Sequence, residues 1–493
     1  MPSPRLNPVS AAVLAACLLG GGVAHARVAD AQRTQIRATV DRGATHLGEV
    51  AQQIWGFAEV GYQETKSSAL LQQELKRSGF EVESGVAGMP TAFVARFRNG
   101  DGPVIAILAE FDALPGLAQR AVPQPDPIAG QEAGHGCGHH IFGAASVAAA
   151  QAVKAWMAAN NIKGELRVYG APAEEGGSGK VYLVREGLFK DVSATLHWHA
   201  ADVNDASQGV SLANISGKFR FAGLSAHASA SPEKGRSALD GVEIMNVAVN
   251  YLREHIPMGV RIHYVTTDGG SAPNVVPDKA EVYYYVRHTD PQVVRDVMAR
   301  VQKAAEGAAI ATETKVSFEQ TGGVYNMLAN DTLGRLMDQN LREVGGEAWD
   351  AKDIAFGEAM RAHLPPTKLT LDSVKEIQPY RTDRGSGGST DVADVSWVTP
   401  TAGMTAATWV PGTPAHSWQA VAAGGTPIGL KGGVVAAKTL ALTAADLFTD
   451  PKTIAKAQAE LKQKRGADFT YKAMVGDRPP PLDYRRKSGE AQP

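Results

Sequence analysis

The sequence predicts an α/β fold with a smaller α+β domain inserted into it. Three observations carry that expectation. Short apolar strand-like runs alternate with helical periodicities over the first two hundred or so residues, the order expected of a sheet layered with helices. Near Gly217 the pattern changes to β-α-β-β-α-β over about a hundred residues. After Leu328 the first texture resumes. A length of 493 residues is enough for two or three domains. The composition, 44% apolar and 20% charged, is that of an ordinary globular chain. A net charge of -2 supplies no field for nucleic acid, and no basic run is interleaved with aromatics. No nucleic-acid partner is expected, and no internal repeat is present.

The first segment reads as a leader. Arg5 precedes an apolar stretch from Ala11 to Ala24, and Ala24-His25-Ala26 has the small-x-small pattern of a signal peptidase site, with cleavage expected after Ala26. That predicts a periplasmic or secreted protein. A membrane anchor is disfavoured because the stretch is short and broken by Gly20-Gly21-Gly22. A lipoprotein signal at Leu14-Ala15-Ala16-Cys17 is disfavoured because apolar sequence continues past Cys17. No later segment is expected to span a bilayer. Without the leader, Cys137 is the only thiol, so no internal disulfide can form. Metal coordination would hold and shield such a thiolate.

The elements follow in order. Ile36, Val40, Leu47, Val50 and Ile54 recur at helical spacing, and a second helix over 67–78 stops at Gly79. Strands are expected over 91–97 and 103–109; the second is a continuous apolar run, as in a buried sheet. A Gly- and Pro-rich loop over 115–138 leads to an Ala-rich helix over 143–160, then strands over 166–170 and 194–198. The insert reads as a strand over 219–221, a helix over 237–255, strands over 260–266 and 280–287, a helix over 291–307 and a strand over 314–320. A strand over 404–410 and a helix over 429–448 complete the main domain, and the polar tail beyond Lys464 is expected to be loosely held. The boundaries are therefore a signal peptide at 1–26, the main domain at 27–216 and 326–463, the insert at 217–325 and the tail at 464–493.

Four regions concentrate metal-capable side chains. Gly134-His135-Gly136-Cys137-Gly138-His139-His140 supplies the ligand types preferred by Zn²⁺, on glycines that let backbone fold around an ion. Glu174-Glu175 follows a strand, where open α/β sheets place their sites; one carboxylate can ligate while its neighbour stays free as a base. His197-Trp198-His199 ends another strand, and alternation puts both histidines on one face. Gly412-Thr413-Pro414-Ala415-His416 follows the last strand. Together Cys137, His139, Glu175, one of His197 or His199, and His416 suit two closely spaced divalent ions rather than one.

The order Asp112-Ala113-Leu114-Pro115, Gly-His-Gly-Cys-Gly-His, Glu-Glu-Gly-Gly, Ser225-Ala226-His227-Ala228 and Gly-Thr-Pro-Ala-His resembles the co-catalytic metallopeptidases and aminoacylases. The branch it looks like holds the aminobenzoyl-glutamate hydrolase B subunit and the indole-acetyl-amino-acid hydrolases. The resemblance runs from about Ile36 to about Phe448. It implies a mixed-sheet di-metal catalytic domain with an inserted lid that mediates homodimerisation. It implies Cys137, His139, Glu175, His199 and His416 as ligands to two Zn or Mn ions, with Cys137 bridging. Glu174 would be the general base, and Asp112 would orient a ligand histidine. His227 would stabilise the oxyanion, in many relatives from the partner subunit. Asn274 and Arg287 would grip a substrate carboxylate. His140 departs from the pattern, since many relatives carry Asp there. The reaction implied is hydrolysis of an N-acyl, aromatic-acyl amino acid of the aminobenzoyl-glutamate type, with a metallo-dipeptidase or carboxypeptidase as the alternative.

Overall fold

The computed structural model describes residues 27–385 and 387–485, so the expected leader and Cys17 lie outside the described residues. The main sheet has six strands in the spatial order Glu81–Ser84, Phe93–Arg98, Glu165–Gly170, Val104–Ala109, Ala194–Ala201 and Thr401–Ala407. The last four are mutually parallel, and the first two run antiparallel at one edge. Parallel strands are covered on both faces, which is why Val104–Ala109 and Glu165–Gly170 read as near-continuous apolar runs. One face packs against the helices Asp30–Phe57, His139–Ala159 and Pro427–Thr449, the other against Gly179–Arg185 and its neighbours. The parallel arrangement brings the C-terminal ends of four strands to one edge, where α/β sheets hold their ligands.

The insert is a four-stranded antiparallel sheet in the order Arg261–Asp268, Lys279–His288, Ala213–Ala222 and Lys315–Val324. Helices Ala238–Leu252 and Pro291–Ala311 cover one of its faces around Val242, Met245, Val282, Val297 and Val301. Asp290 caps the second helix, accepting from Gln292 N at 2.8 Å, with Pro291 at its first position. The chain enters the insert at Ala213 and leaves at Val324, and Asn214 pairs with Val324 across adjacent strands.

Three expectations are corrected. The helix expected from 143 begins at His139, so the Cys137 loop runs directly into a helix N-terminus; Gly138 makes the turn with φ 75°. Among the described residues two helices, His139–Ala159 and Pro427–Thr449, are long and apolar enough to cross a membrane by length and composition. They are the buried centre of this fold, and apolarity all round is what a buried helix needs. The tail is not loose up to Arg485: Met474 and Val475 are buried, and Tyr471 Oη donates to Asp394 Oδ1 at 2.6 Å. The sequence signal there was polar content, which does not register a few well-seated apolar residues.

Candidate active site

The site is assembled from loops at the C-terminal edge of the four parallel strands. After Val104–Ala109 the chain places Glu110 and Asp112 two residues apart, both fully buried. Asp112 joins two loops: Oδ1 lies 2.9 Å from His139 Nδ1, and Oδ2 accepts from Glu175 N at 2.9 Å. A carboxylate can only accept, so His139 carries its proton on Nδ1 and turns Nε2 toward the centre of the site. Burial pushes the Asp112 carboxyl up, but the charge and hydrogen bond of His139 outweigh it and hold it below the usual range. Burial lowers the His139 imidazole, and the Glu110 and Asp112 charges overcome that and raise it well above its ordinary value.

Two triads result. The ligand atoms of Cys137, His139 and His199 lie within 4.8 Å of one another, and so do those of Cys137, Glu175 and His416. Cys137 belongs to both. The structure brings His199, rather than His197, to Cys137 and His139. His199 Nδ1 donates to Ala200 O at 2.8 Å, which leaves Nε2 free. His197 sits two residues deeper on the same face of the strand. Among the described residues, His139 Nε2, Glu110 Oε2 and Glu175 Oε1 are buried without hydrogen-bond geometry to any partner, although Glu110 Oε2 lies 3.1 Å from His139 Nε2 and Glu175 Oε1 lies 3.4 Å from His416 Nε2. Each such atom costs about 1–3 kcal/mol if left so, and three converging donors of this type are what a cation would satisfy. The donor set fits divalent metal ions, which Cys137, His139, His199, Glu175 and His416 would hold.

Glu174 stands beside this set, its carboxylate within 4.8 Å of a ring nitrogen of His139 and an oxygen of Glu110. Burial, then the charges of Glu110, Glu175 and Asp391, push its carboxyl well above the usual range. Its loop is held by strained backbone, with Ala173 at φ 55° and Ser178 at φ 61°. Ala173 N donates to the buried Glu64 at 2.8 Å. From the tail, Tyr484 Oη and Arg485 Nη2 donate to Glu175 O at 2.8 and 2.7 Å.

Sequence reasoning missed one buried cluster. Lys180 Nζ lies 2.7 Å from Glu110 Oε1 and 2.6 Å from Asp391 Oδ1, with all three side chains excluded from solvent. Glu110 could have been found, because it precedes Asp112 by two and extended backbone aims both the same way. Nothing local marks Lys180 or Asp391, which meet only through the fold. His140, in the position that departs from the family pattern, is a core residue: it packs on His135 at 4.9 Å and its Nε2 lies 3.1 Å from Gly424 O.

The 41% identity of this chain to the B subunit of the p-aminobenzoyl-glutamate hydrolase of Escherichia coli (strain K12) extends over 441 residues, 84% of this chain and 92% of the relative. The chain belongs to the M20 peptidase family. Its residues 213–313 match the peptidase dimerisation domain of that family. It is 28% identical to the Xaa-Arg dipeptidase of Mus musculus, over 86% of this chain and 91% of the relative. A dinuclear metal binding peptidase from the M20 family of Bacillus subtilis superposes with a TM-score of 0.54 at 18% identity, covering 83% of this chain and 99% of that one.

In this M20 chain the dimerisation domain carries the remaining expected residues. His227 is exposed on a lid loop, its Nδ1 accepting from Ala230 N at 3.1 Å, and it does not line the cavity of its own chain. Asn274 lies beside it, with its backbone carbonyl accepting from Ala228 N. Arg287 reaches the cavity rim, where Nη1 donates to Ser389 Oγ at 3.1 Å. The structure brings Cys137, His139, Glu174, Glu175, His199, His416 and Asp112 together, and leaves His227 and Asn274 apart from them.

Proposed function

We propose that the chain is a metal-dependent amidohydrolase that cleaves the amide bond of N-aromatic-acyl amino acids of the aminobenzoyl-glutamate type, using two divalent ions, Zn or Mn. The observation that carries this reading is the pair of triads sharing Cys137, with the free carboxylate of Glu174 beside them. The 41% identity to part of an aminobenzoyl-glutamate hydrolase supports the substrate class.

Cys137, His139 and His199 would hold one ion, and Cys137, Glu175 and His416 the other. When bound, such a pair polarises a carbonyl and acidifies water. Glu174 takes a proton from the attacking water and returns it to the leaving amine nitrogen. Asp112 holds the His139 tautomer through this exchange. Burial pushes the Glu110 carboxyl up, but the charge of Lys180 together with those of His139 and His199 holds it below the usual range, so Lys180 helps keep Glu110 ionised next to Glu174.

His227 lies outside its own cavity, which supports a homodimer in which the lid of one protomer completes the site of the other. Exposed Ile244, Val247 and Tyr251 share one face of the lid helix, and Tyr264 and Val265 are exposed on the edge strand. The leader pattern supports a periplasmic or secreted location; N-terminal sequencing of exported protein should begin at Arg27, and a start at Cys17 would instead make it a lipoprotein.

The test is hydrolysis of a panel of N-aroyl amino acids, aminobenzoyl-glutamate among them, against free dipeptides, before and after chelation and metal add-back. Chelator-sensitive release from the acyl amino acids is expected. Release from dipeptides alone would move the function to the dipeptidase reading, which the 28% identity to the Xaa-Arg dipeptidase keeps in view.

A further inference from the structure

A cavity of about 380 Å³ opens beside the two triads, bounded by the sheet edge, the 205–211 segment and the 388–392 segment. Its apolar surface comes from Phe142, Met327, Val392 and Met404. His197 lines it as well, and no part of the mechanism above uses His197. It points from the same face as His199, two residues nearer the start of the strand. Alternate residues on a strand are about 6.6 Å apart, comparable to the reach from an acyl carbon across one aromatic ring to its para substituent. His197 therefore stands at the depth where that substituent ends, if the acyl carbon lies against the triads.

The surroundings hold the ring there. In the neighbouring strand His197 faces Gly403, and a Cβ on Gly403 would come within 2.3 Å of the imidazole Cε1 and Nε2. The missing side chain is what lets the ring lie across that strand. One neighbouring polar group of the cavity wall is already engaged: Gln208 Nε2 donates to Ala206 O and Gly403 O, both at 2.8 Å. Among the described residues neither ring nitrogen of His197 has a hydrogen-bond partner. An imidazole offers one nitrogen donor and one nitrogen acceptor, and here both are available in the cavity wall, near the apolar surface of Phe142 and Met404.

We propose that His197 is the specificity-determining residue of the acyl pocket, closing its far end and hydrogen-bonding a polar para substituent, such as an arylamine, on an aromatic acyl group. This rests on the amidohydrolase reading above. It makes two statements about selectivity. Aromatic acyl groups with a para amine or hydroxyl are preferred over the unsubstituted benzoyl group. Acyl groups longer than one substituted ring are refused because the imidazole occupies their space.

The test compares kcat/KM for p-aminobenzoyl-glutamate with that for benzoyl-glutamate, in the wild type and in His197→Phe, His197→Gln and His197→Ala, with bound metal counted in each. The wild type should favour the amino substrate by roughly tenfold, the scale of one neutral hydrogen bond. That ratio should collapse toward one in His197→Phe and recover in part in His197→Gln, which keeps a hydrogen-bonding group. His197→Ala should gain relative activity on a longer acyl group such as naphthoyl-glutamate. Two metals per chain are expected throughout. An unchanged ratio in both polar and apolar variants overturns the proposal while leaving the amidohydrolase reading intact, and so does loss of metal in His197→Gln, which would make His197 a ligand. No hydrolysis of any acyl-glutamate by the metal-loaded wild type would overturn the reading and the proposal together.

Discussion

Asp112 shows how much of this site depends on single side chains. One carboxylate fixes the tautomer of His139 and the backbone of Glu175, so the two loops that carry the triads share a brace. Glu174 is different, because it braces nothing and faces the site. Glu174→Gln should leave metal content unchanged and lower turnover by about 10²–10⁴, whereas Cys137→Ala should bring bound metal below two per chain. Metal analysis alongside steady-state rates separates the two, and a fully loaded Cys137→Ala protein would remove Cys137 from the ligand set. Asp394 gives a residue-scale prediction away from the metals. It is fully buried between Tyr325 N and Tyr471 Oη, and burial raises its carboxyl from an ordinary 3.8 to about 7. Between those values the unfolded chain releases a proton that the folded chain retains, so stability falls as pH rises through that window and levels off above it. Asp394→Asn should match the wild type near pH 4 and melt a few degrees higher near pH 8; parallel melting curves across that range would show the carboxyl ionising at its ordinary value. The ligand types and Glu174 were legible as residues because metal chemistry uses few side chains. The choice of His199 over His197 came from the family resemblance and not from the residues themselves, since strand alternation puts both on one face; in the fold it is His199 that meets Cys137 and His139.

At the scale of elements, the tail is the least legible piece and the one with the most direct bearing on the site. Tyr484 and Arg485 both donate to the backbone of Glu175, and the Tyr484 ring packs edge-on to Tyr62 at 5.7 Å. The double variant Tyr484→Ala, Arg485→Ala should lower kcat by about tenfold to a hundredfold, the scale of two lost hydrogen bonds, with little change in melting temperature because Met474 and Val475 keep the tail seated. Equal losses in both measurements would mean that the tail acts on the fold rather than on the loop. The strands and long helices were read from periodicity, and the apolar runs at Val104–Ala109 and Pro427–Thr449 announced themselves. The helices Asp331–Val344 and Ala351–Arg361 did not enter that reading. The first is strongly amphipathic, with Leu333, Leu336, Met337 and Leu341 buried, and its periodicity was there to be found. The second is short and buries little, so its start depends on the cap: Asp350 accepts from Lys352 N and Asp353 N.

For the whole molecule, the proposed dimer turns on the insert. A lid that places His227 outside its own cavity, with apolar residues exposed on one helix and an edge strand, predicts a dimer in solution. Sedimentation equilibrium should give twice the chain mass at micromolar concentration. Val247→Asp with Tyr251→Asp should yield monomers whose turnover falls by about 10²–10³, the cost of losing one oxyanion donor; fully active monomers would place that donor within one chain. The α/β order and the insert were legible because each switches hydrophobic period along the chain. The parallel edge that gathers the site was legible only as a rule about such sheets.

The way the lid is attached has a further consequence. Its two crossings, at Ala213 and Val324, are neighbours in one ladder, with Asn214 paired to Val324. By chain connection the insert joins the rest of the molecule through what amounts to a single ribbon, and side chains such as Arg287 and Arg295 bond across beside it. A cassette joined in that manner can be cut out and grafted without rethreading the body that carries it. Exchange of this segment between family members would replace the matched dimerisation domain in one step, with the body that carries the two triads left as it was.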